Sequence, residues 1–481
     1  MVRVAPWPLF GLTLLASACA GDAAFHPTPG PPALSALATV ANPYNALSLA
    51  VAFTVTGADS ARIVYRGASD PERSTPFRAV RNGPGQLVAL GLRPSTGYSL
   101  GIEAVGPGGV SRATVAGTTD TLPALLRSAH LRVTGSPPPG YLLVTPEFFG
   151  DGNDGYLLVF DEAGLLRWYR RFPGEGWAVE AKQQRNGDFT VYLGRSFGYQ
   201  PTAGRYAEVR PTGDEVRSFR VSAPEFTDPH EMVLSFDDTS LAAVHLLGYD
   251  VRALDLTSVG GSAVAPVAVH FIERQSASGV TQFIWNAGDH YSISDSPVAN
   301  PVQLDLVHPS SLALTPEGNY LISLQALDEV AEIDGRTGAY LWRFGGRHNE
   351  FTMINDPGGG FQGQHHAQLL PDGHLLLLDD HPRGLPDGAR AVEYALDVPA
   401  RTARLVWEYR PDPAVVSPIM GSVQRLASGN TLVGFAMAGR VDDVSPSGAV
   451  VGQSAVIGDG GTPIQFYRAL RIGSLYRYEQ P

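Results

Sequence analysis

The chain has 481 residues, of which 54 are glycine and 38 proline, while 44 % are apolar and only 17 % charged. That apolar share excludes global disorder, and the length calls for two domains or one large repetitive one. With 47 acidic residues against 35 basic ones the net charge is −12, and Lys182 is the single lysine, so a nucleic-acid partner and a Gly-x-x-x-x-Gly-Lys nucleotide loop are both excluded.

One cysteine, Cys19, rules out a disulfide framework and any multi-cysteine zinc site within this chain. Residues 1–19 carry Arg3, an apolar run through Leu15, and then Ala16, Ser17, Ala18 and Cys19. This is the pattern of an export signal, too short to span a membrane. Cleavage after Ala18 would expose Cys19, and the segment resembles a bacterial lipoprotein signal with Cys19 as the lipidated residue. The resemblance implies an exported protein, lipid-anchored in the cell envelope on the periplasmic or outer-membrane side. Residues 20–33 read as a proline-rich tether.

Residues 34–122 alternate short β-rich runs with turns, which predicts a small β-sandwich. The run Leu92-Arg-Pro-Ser-Thr-Gly-Tyr98, with Ile102 and Thr118-Thr119 after it, resembles the late strands of a fibronectin type III domain. Tyr98 takes the place of the corner tyrosine; the tryptophan usual in that family is missing.

Residues 123–481 repeat a strand, a Pro-Asp-Gly type turn and a second apolar strand, as in Leu370-Pro-Asp-Gly-His-Leu and Leu426-Ala-Ser-Gly-Asn-Thr-Leu. The turn glycines Gly318, Gly373 and Gly429 are 55 and 56 residues apart. That period, with four short strands per unit, predicts propeller blades. Units beginning near Tyr141, Val179, His230, His308, His365 and Ser422 number six, each first strand lining a central channel. The expected fold is all-β, a six-bladed β-propeller preceded by a small β-sandwich; a pair of ordinary sandwiches is the alternative. The long connection between Gly248 and Pro301 is expected to carry a flap over the axis.

His230, His308 and His365 open the first strands of three consecutive units, so their side chains are expected to converge. Their offsets to the following turn are 9, 10 and 8 residues, which requires a bulge for all three to share a face. An imidazole, mostly deprotonated at neutral pH, can act as a nucleophile, and its neighbours can donate or accept protons.

The runs His308-Pro-Ser-Ser-Leu-Ala-Leu, Glu332-Ile-Asp-Gly-Arg-Thr-Gly-Ala-Tyr-Leu-Trp-Arg-Phe-Gly-Gly346, Gln364-His-His-Ala-Gln and Leu405-Val-Trp-Glu-Tyr409 resemble the bacterial aryl-sulfate sulfotransferase family across roughly residues 179–471. The resemblance implies a ping-pong transfer of a sulfuryl group from a small aromatic sulfate ester to a phenol, with no nucleotide donor and no cofactor. It makes His365 the nucleophile that becomes a sulfohistidine, with His308 and His230 as its catalytic partners. At two substrate-binding places this chain departs from the family: Ser310 replaces an Asn, and Gln325 replaces an Arg. Arg343 and Arg390, together with Arg347 and Arg383, are the candidates to restore the lost cation.

Competing readings use the same residues. A metal-dependent hydrolase would draw on His365, His366, Asp379, Asp380 and His381, although adjacent strand residues face opposite ways. A non-catalytic cell-surface propeller with a degenerate site is the reading from a different class. The loop from Asp151 to Gly155, with Glu162 behind it, faintly matches a calcium loop but lacks its glycine. The glycine-rich run 358–363 lacks a lysine and a helix pattern, so it reads as a bend leading into the His365 strand rather than a phosphate cradle.

Overall fold

A computed structural model describes residues 30–479 except 69, 148–151, 196–203, 223, 296–304 and 383–387, and except the side chain of 459. Cys19, the signal, most of the tether, Asp151 and Arg383 lie outside the described residues. Among those described, no helix is long and apolar enough to cross a membrane.

The N-terminal unit is two facing antiparallel sheets. One joins Ala33–Ala41, Leu49–Thr56 and Gly83–Ala89, and the other is built on Ser60–Gly67, Gly97–Gly106 and Gly109–Thr118. Strict alternation puts Leu49, Val51, Phe53 and Val55 against Ala61, Ile63, Leu100 and Ile102 in one core. The Tyr98 hydroxyl accepts the Arg93 backbone N–H at 2.9 Å and donates to Asp70.

Six further sheets form the propeller. From the axis outward, blade one is Phe466–Ile472, Tyr141–Pro146, Gly155–Asp161 and Leu166–Phe172; blade two runs from Trp177–Gln183 to Glu215–Phe219. Blade three runs from Phe226–Asp237 to Thr281–Asn286, and blade four from Pro309–Leu314 to Tyr340–Gly345. Blade five begins at His365–Leu369 and adds Thr352–Ile354 in parallel at its edge; blade six begins at Ser422–Arg425 and is completed by His130–Gly135. Successive innermost strands pack on one another, and the ring closes between Ser422–Arg425 and Phe466–Ile472. The last strand is therefore innermost in blade one, and Tyr141, expected on a channel strand, stands on the second.

The repeated turns explain the glycine period. Gly318, Gly373 and Gly429 adopt φ of 84°, 84° and 86° and donate back to Thr315, Leu370 and Leu426. Each is the left-handed residue of a tight hairpin, a conformation that costs a side-chain-bearing residue.

The sandwich docks on the propeller through named bonds. Ala46 N–H donates to the Tyr169 hydroxyl at 3.1 Å, Leu90 N–H to the Tyr476 hydroxyl at 2.7 Å, and the Asn42 amide to Thr212 O at 2.8 Å. Leu47 and Leu90 are packed into propeller cores.

Candidate active site

Irregularities at the heads of the channel strands deliver the side chains that meet on the axis. Glu180, His308, His366 and Met420 have φ of 50°, 45°, 51° and 64°, one in each of four blades, and the pairing slips beside the first three. In blade three Thr227 pairs with Gly248 and Met232 with Leu246, so Asp228, Pro229, His230 and Glu231 face Leu247 alone. These are the bulges that the unequal histidine offsets required. They break the two-residue alternation, so consecutive residues reach different neighbours.

The rings of His230 and His308 stand edge to face, 4.6 Å apart. His230 Nδ1 is 2.8 Å from Asp228 Oδ1, and His308 Nδ1 is 2.8 Å from Asp305 Oδ2. Burial outweighs the Asp228 carboxylate and lowers the His230 pKa. Both Asp228 and Asp305 are held low, because the imidazoles around them overcome their burial.

His365 is buried, with Nδ1 3.1 Å from Gly363 O and 2.5 Å from Asp380 Oδ2. Its Nε2 accepts the Met420 backbone N–H at 3.2 Å. Nε2 therefore carries the lone pair and Nδ1 the proton. Burial, then His308, His230 and Arg468, keep His365 well below the usual histidine pKa, so it is neutral. Burial and the neighbouring Asp379 raise Asp380 far above the usual carboxylate range.

Arg468, on the strand that closes the ring, is the cation beside these histidines. Its Nη1 donates to Glu180 at 3.0 Å and Glu231 at 2.7 Å, and its Nη2 to His230 O at 3.2 Å and Ser310 O at 2.8 Å. Lys182 also pairs with Glu231 and lies 3.2 Å from Glu180. Although buried, Glu231 is held down to about 2 by Arg468 and Lys182, while burial and Glu231 push Glu180 well up. Two cations thus face one ionised carboxylate and one that resists ionisation.

The expected substrate-binding residues are arranged otherwise. Ser310 is fully buried, and its hydroxyl donates to Gln364 O at 2.7 Å, so it braces blade four against blade five. Gln325 donates its backbone N–H to His308 O at 2.9 Å. Arg343 sits on the outermost strand of blade four, bonded to Glu329 and stacked on Tyr291 and Tyr340. Arg390, on the third strand of blade five, is held by Asp379 at 2.7 Å, Glu408 at 3.2 Å and Gly360 O at 2.5 Å. Neither guanidinium restores a cation at the histidines; Arg390 instead fixes the glycine-rich bend before His365. Arg347 is exposed.

The residues of the metal reading do not form a ligand group among those described. His366 accepts the Val423 N–H and contacts Gln368, and Asp379 is committed to Arg390 and the Gln362 N–H. In the weak calcium loop, Asp154 is bound to Arg171 and the Gly174 N–H. One group with ligand spacing, Asp372, His374 and Glu393, lies elsewhere on blade five, where Arg425 already neutralises Glu393. A cavity of about 570 Å³ lined by Lys182, Glu231, Leu314 and His366 opens at the other ends of the channel strands and excludes the three histidines.

The sequence reading missed Asp228, His270, Asp305 and Arg468. Asp228-Pro-His230 and Asp305-x-x-His308 are legible as pairs once the histidines are chosen. Arg468 follows from asking which strand closes the ring.

The fold is thus a six-bladed propeller whose channel carries three histidines beside a buried guanidinium. The arylsulfotransferase (ASST) family pattern matches residues 213–456, just over half of the chain, and the chain belongs to that family. Among solved structures, a protein of unknown function from Bacteroides caccae aligns with 69 % of this chain and 98 % of its own, at 12 % identity and a TM-score of 0.42. A streptogramin B lyase aligns with 72 % of this chain and 96 % of its own, at 9 % identity and a TM-score of 0.37. A virginiamycin B lyase from Staphylococcus aureus, solved with quinupristin, aligns over 66 % and 87 %, at 8 % identity and a TM-score of 0.36. No curated protein matches the chain.

Proposed function

We propose that this protein transfers a sulfuryl group from an aryl sulfate to a phenol in two half-reactions through Nε2 of His365. Membership of the arylsulfotransferase family supports activity of that type, with aryl sulfates and phenols as the general substrate classes. The observation that carries the finer reading is the neutral, buried His365 with its lone pair on Nε2, within electrostatic reach of His230, His308 and Arg468.

In the first half-reaction the sulfate ester displaces the Met420 N–H from Nε2. The N–S bond forms as the S–O bond to the aryl group breaks, and the phenolate takes a proton from the His230–His308 pair. The freed Met420 N–H is then placed to donate to a sulfuryl oxygen, and Arg468 and Lys182 favour the anion from below. In the second, the incoming phenol gives its proton back to the pair, its oxygen takes the sulfur, and the Nε2 lone pair is restored.

Incubation with 4-nitrophenyl sulfate and a phenol should release nitrophenolate and leave an acid-labile adduct on His365, both abolished in His365→Ala. Folded wild-type protein showing neither would overturn this reading. A non-catalytic propeller is the second reading, favoured by the Met420 N–H already on the lone pair and by Gln325 at the family's arginine place. It predicts aryl sulfate binding without turnover.

Export and lipid attachment at Cys19 belong to the same proposal, supported by the pattern of residues 1–19. Mass spectrometry of the mature N-terminus tests them: a diacylated or triacylated Cys19 is expected, and an unmodified Met1 contradicts it.

A further inference from the structure

Beyond the three channel histidines lies a fourth, His270, whose placement the reaction above does not use. It stands on Ala265–Ser276, the third strand of blade three, in the part of that hairpin prolonged by the long connection after Gly248. Tyr249 pairs with His270 across the hairpin, and their rings are 5.6 Å apart. The ring is buried, with Nε2 3.0 Å from Asp228 Oδ2 and Nδ1 3.2 Å from Asp305 Oδ1.

Each of those carboxylates uses its other oxygen on a channel histidine, Asp228 on His230 and Asp305 on His308. The five side chains form one unbroken line: His230, Asp228, His270, Asp305, His308. The line is also symmetric about His270, with a carboxylate and then a channel imidazole on each side. Backbone bonds hold both carboxylates in place, since Asp228 accepts the His230 N–H at 2.8 Å and Asp305 accepts the His308 N–H at 2.9 Å.

We propose that His270 is the positioning residue of the active site, bridging Asp228 and Asp305 so that His230 and His308 both keep a proton on Nδ1 and act at Nε2 as one acid–base pair. This rests on the sulfuryl-transfer reading for its kinetic consequence, but the bridge itself does not.

A carboxylate at Nδ1 fixes which ring nitrogen is free to exchange protons. Two carboxylates share one imidazole at His270, which despite its burial they raise to about 10, so it remains an imidazolium at neutral pH. One negative charge is left over along the line, and one additional proton on the His230–His308 pair balances it. That is the proton the mechanism requires: it leaves Nε2 for the departing phenolate and returns from the incoming phenol. Without the central cation two buried carboxylates would face each other, and one would take up a proton instead.

Two measurements test this. Two-bond ¹H–¹⁵N correlation spectra of the full chain, labelled at histidine nitrogen and assigned with His230→Gln, His308→Gln and His270→Gln, read the ring protons directly. At pH 7 His270 is expected to hold protons on both nitrogens, and His230 and His308 each on Nδ1, with the one additional proton shared between their Nε2 atoms. A neutral His270, or protons only on Nε2 of the pair, overturns the bridge whether or not the protein transfers sulfuryl groups.

The second compares donors. His270→Phe is expected to slow turnover of phenyl sulfate roughly ten-fold more than that of 4-nitrophenyl sulfate, because the poorer leaving group depends more on the acid. His270→Gln, which keeps one donor, is expected to fall between. An equal loss for both donors would mean a merely structural role and sink the proposal. If His270→Phe does not fold, the spectra decide; if wild type turns over neither donor, the sulfuryl-transfer reading fails while the spectra still judge the bridge.

Discussion

Arg468 joins four partners contributed by three other blades, and a side chain in that position is costly to remove. Arg468→Met leaves Glu180 and Glu231 buried without their nearest guanidinium and should cost about 3–5 kcal/mol in urea unfolding. Ser310→Ala separates two views of one residue. If its hydroxyl serves as a brace, the change costs about 1–3 kcal/mol by leaving buried bonds to Gln364 and Ser323 unmade, and KM for 4-nitrophenyl sulfate stays near wild type. A large KM rise with unchanged stability would return Ser310 to the substrate. The residues sequence could nominate were those marked by repetition, namely three histidines at the heads of three units. It could not nominate His270, because no repeat places a histidine on a third strand, and only the prolonged hairpin carries it to the axis.

At the scale of strands and turns, the glycine period was a faithful guide because the turn geometry demands it. Gly373 has open space where a Cβ would go, so Gly373→Ala tests backbone conformation alone. With φ at 84° the cost should be about 1–2 kcal/mol in thermal or urea unfolding, with turnover unaffected. Bulges are harder to see in sequence, since they leave composition unchanged and alter only register. Their need was nonetheless forced by the unequal histidine offsets, and blade three meets it by setting four residues against one. Where described, the connection after Gly248, which was expected to carry a flap, prolongs a paired hairpin from Ser240–Leu254 into Ala265–Ser276.

For the whole molecule, the buried histidines set the pH range of stability. Burial holds His245 down to about 4 and His366 to about 3, and His365 well below its usual value. In the unfolded chain each titrates near 6.5, so unfolding takes up protons below that pH, and the stability these groups allow is present above it and lost on acidification. His270 works the other way: raised to about 10, its contribution is complete below 6.5 and is lost as the pH rises through 10. His230 joins the acid side, and the raised carboxyls of Glu180 and Asp380 join His270 on the alkaline side, so each contribution is read one group at a time: the urea midpoint of wild type should drop further from pH 7 to 5 than that of His366→Gln, whose side chain takes up no proton. An equal pH response of the two proteins would contradict this. The architecture was legible from the repeat, but its closure was not, because a six-fold pattern does not say which terminus supplies the missing strand. Deleting residues 464–481 should therefore abolish cooperative unfolding of the propeller, monitored by near-ultraviolet circular dichroism, rather than trim its edge.

The closing strand also sets a timetable. Phe466–Ile472 follows every other blade in order of synthesis, and it carries the guanidinium that ties the backbones of His230 and Ser310 to the axis. A growing chain that has made blades two to six and the three outer strands of blade one already possesses every histidine, yet its site lacks a keystone. The centre is therefore complete only once translation has passed Arg468, and under the proposed export a chain threaded out of the cell as it emerges would assemble its site at its destination.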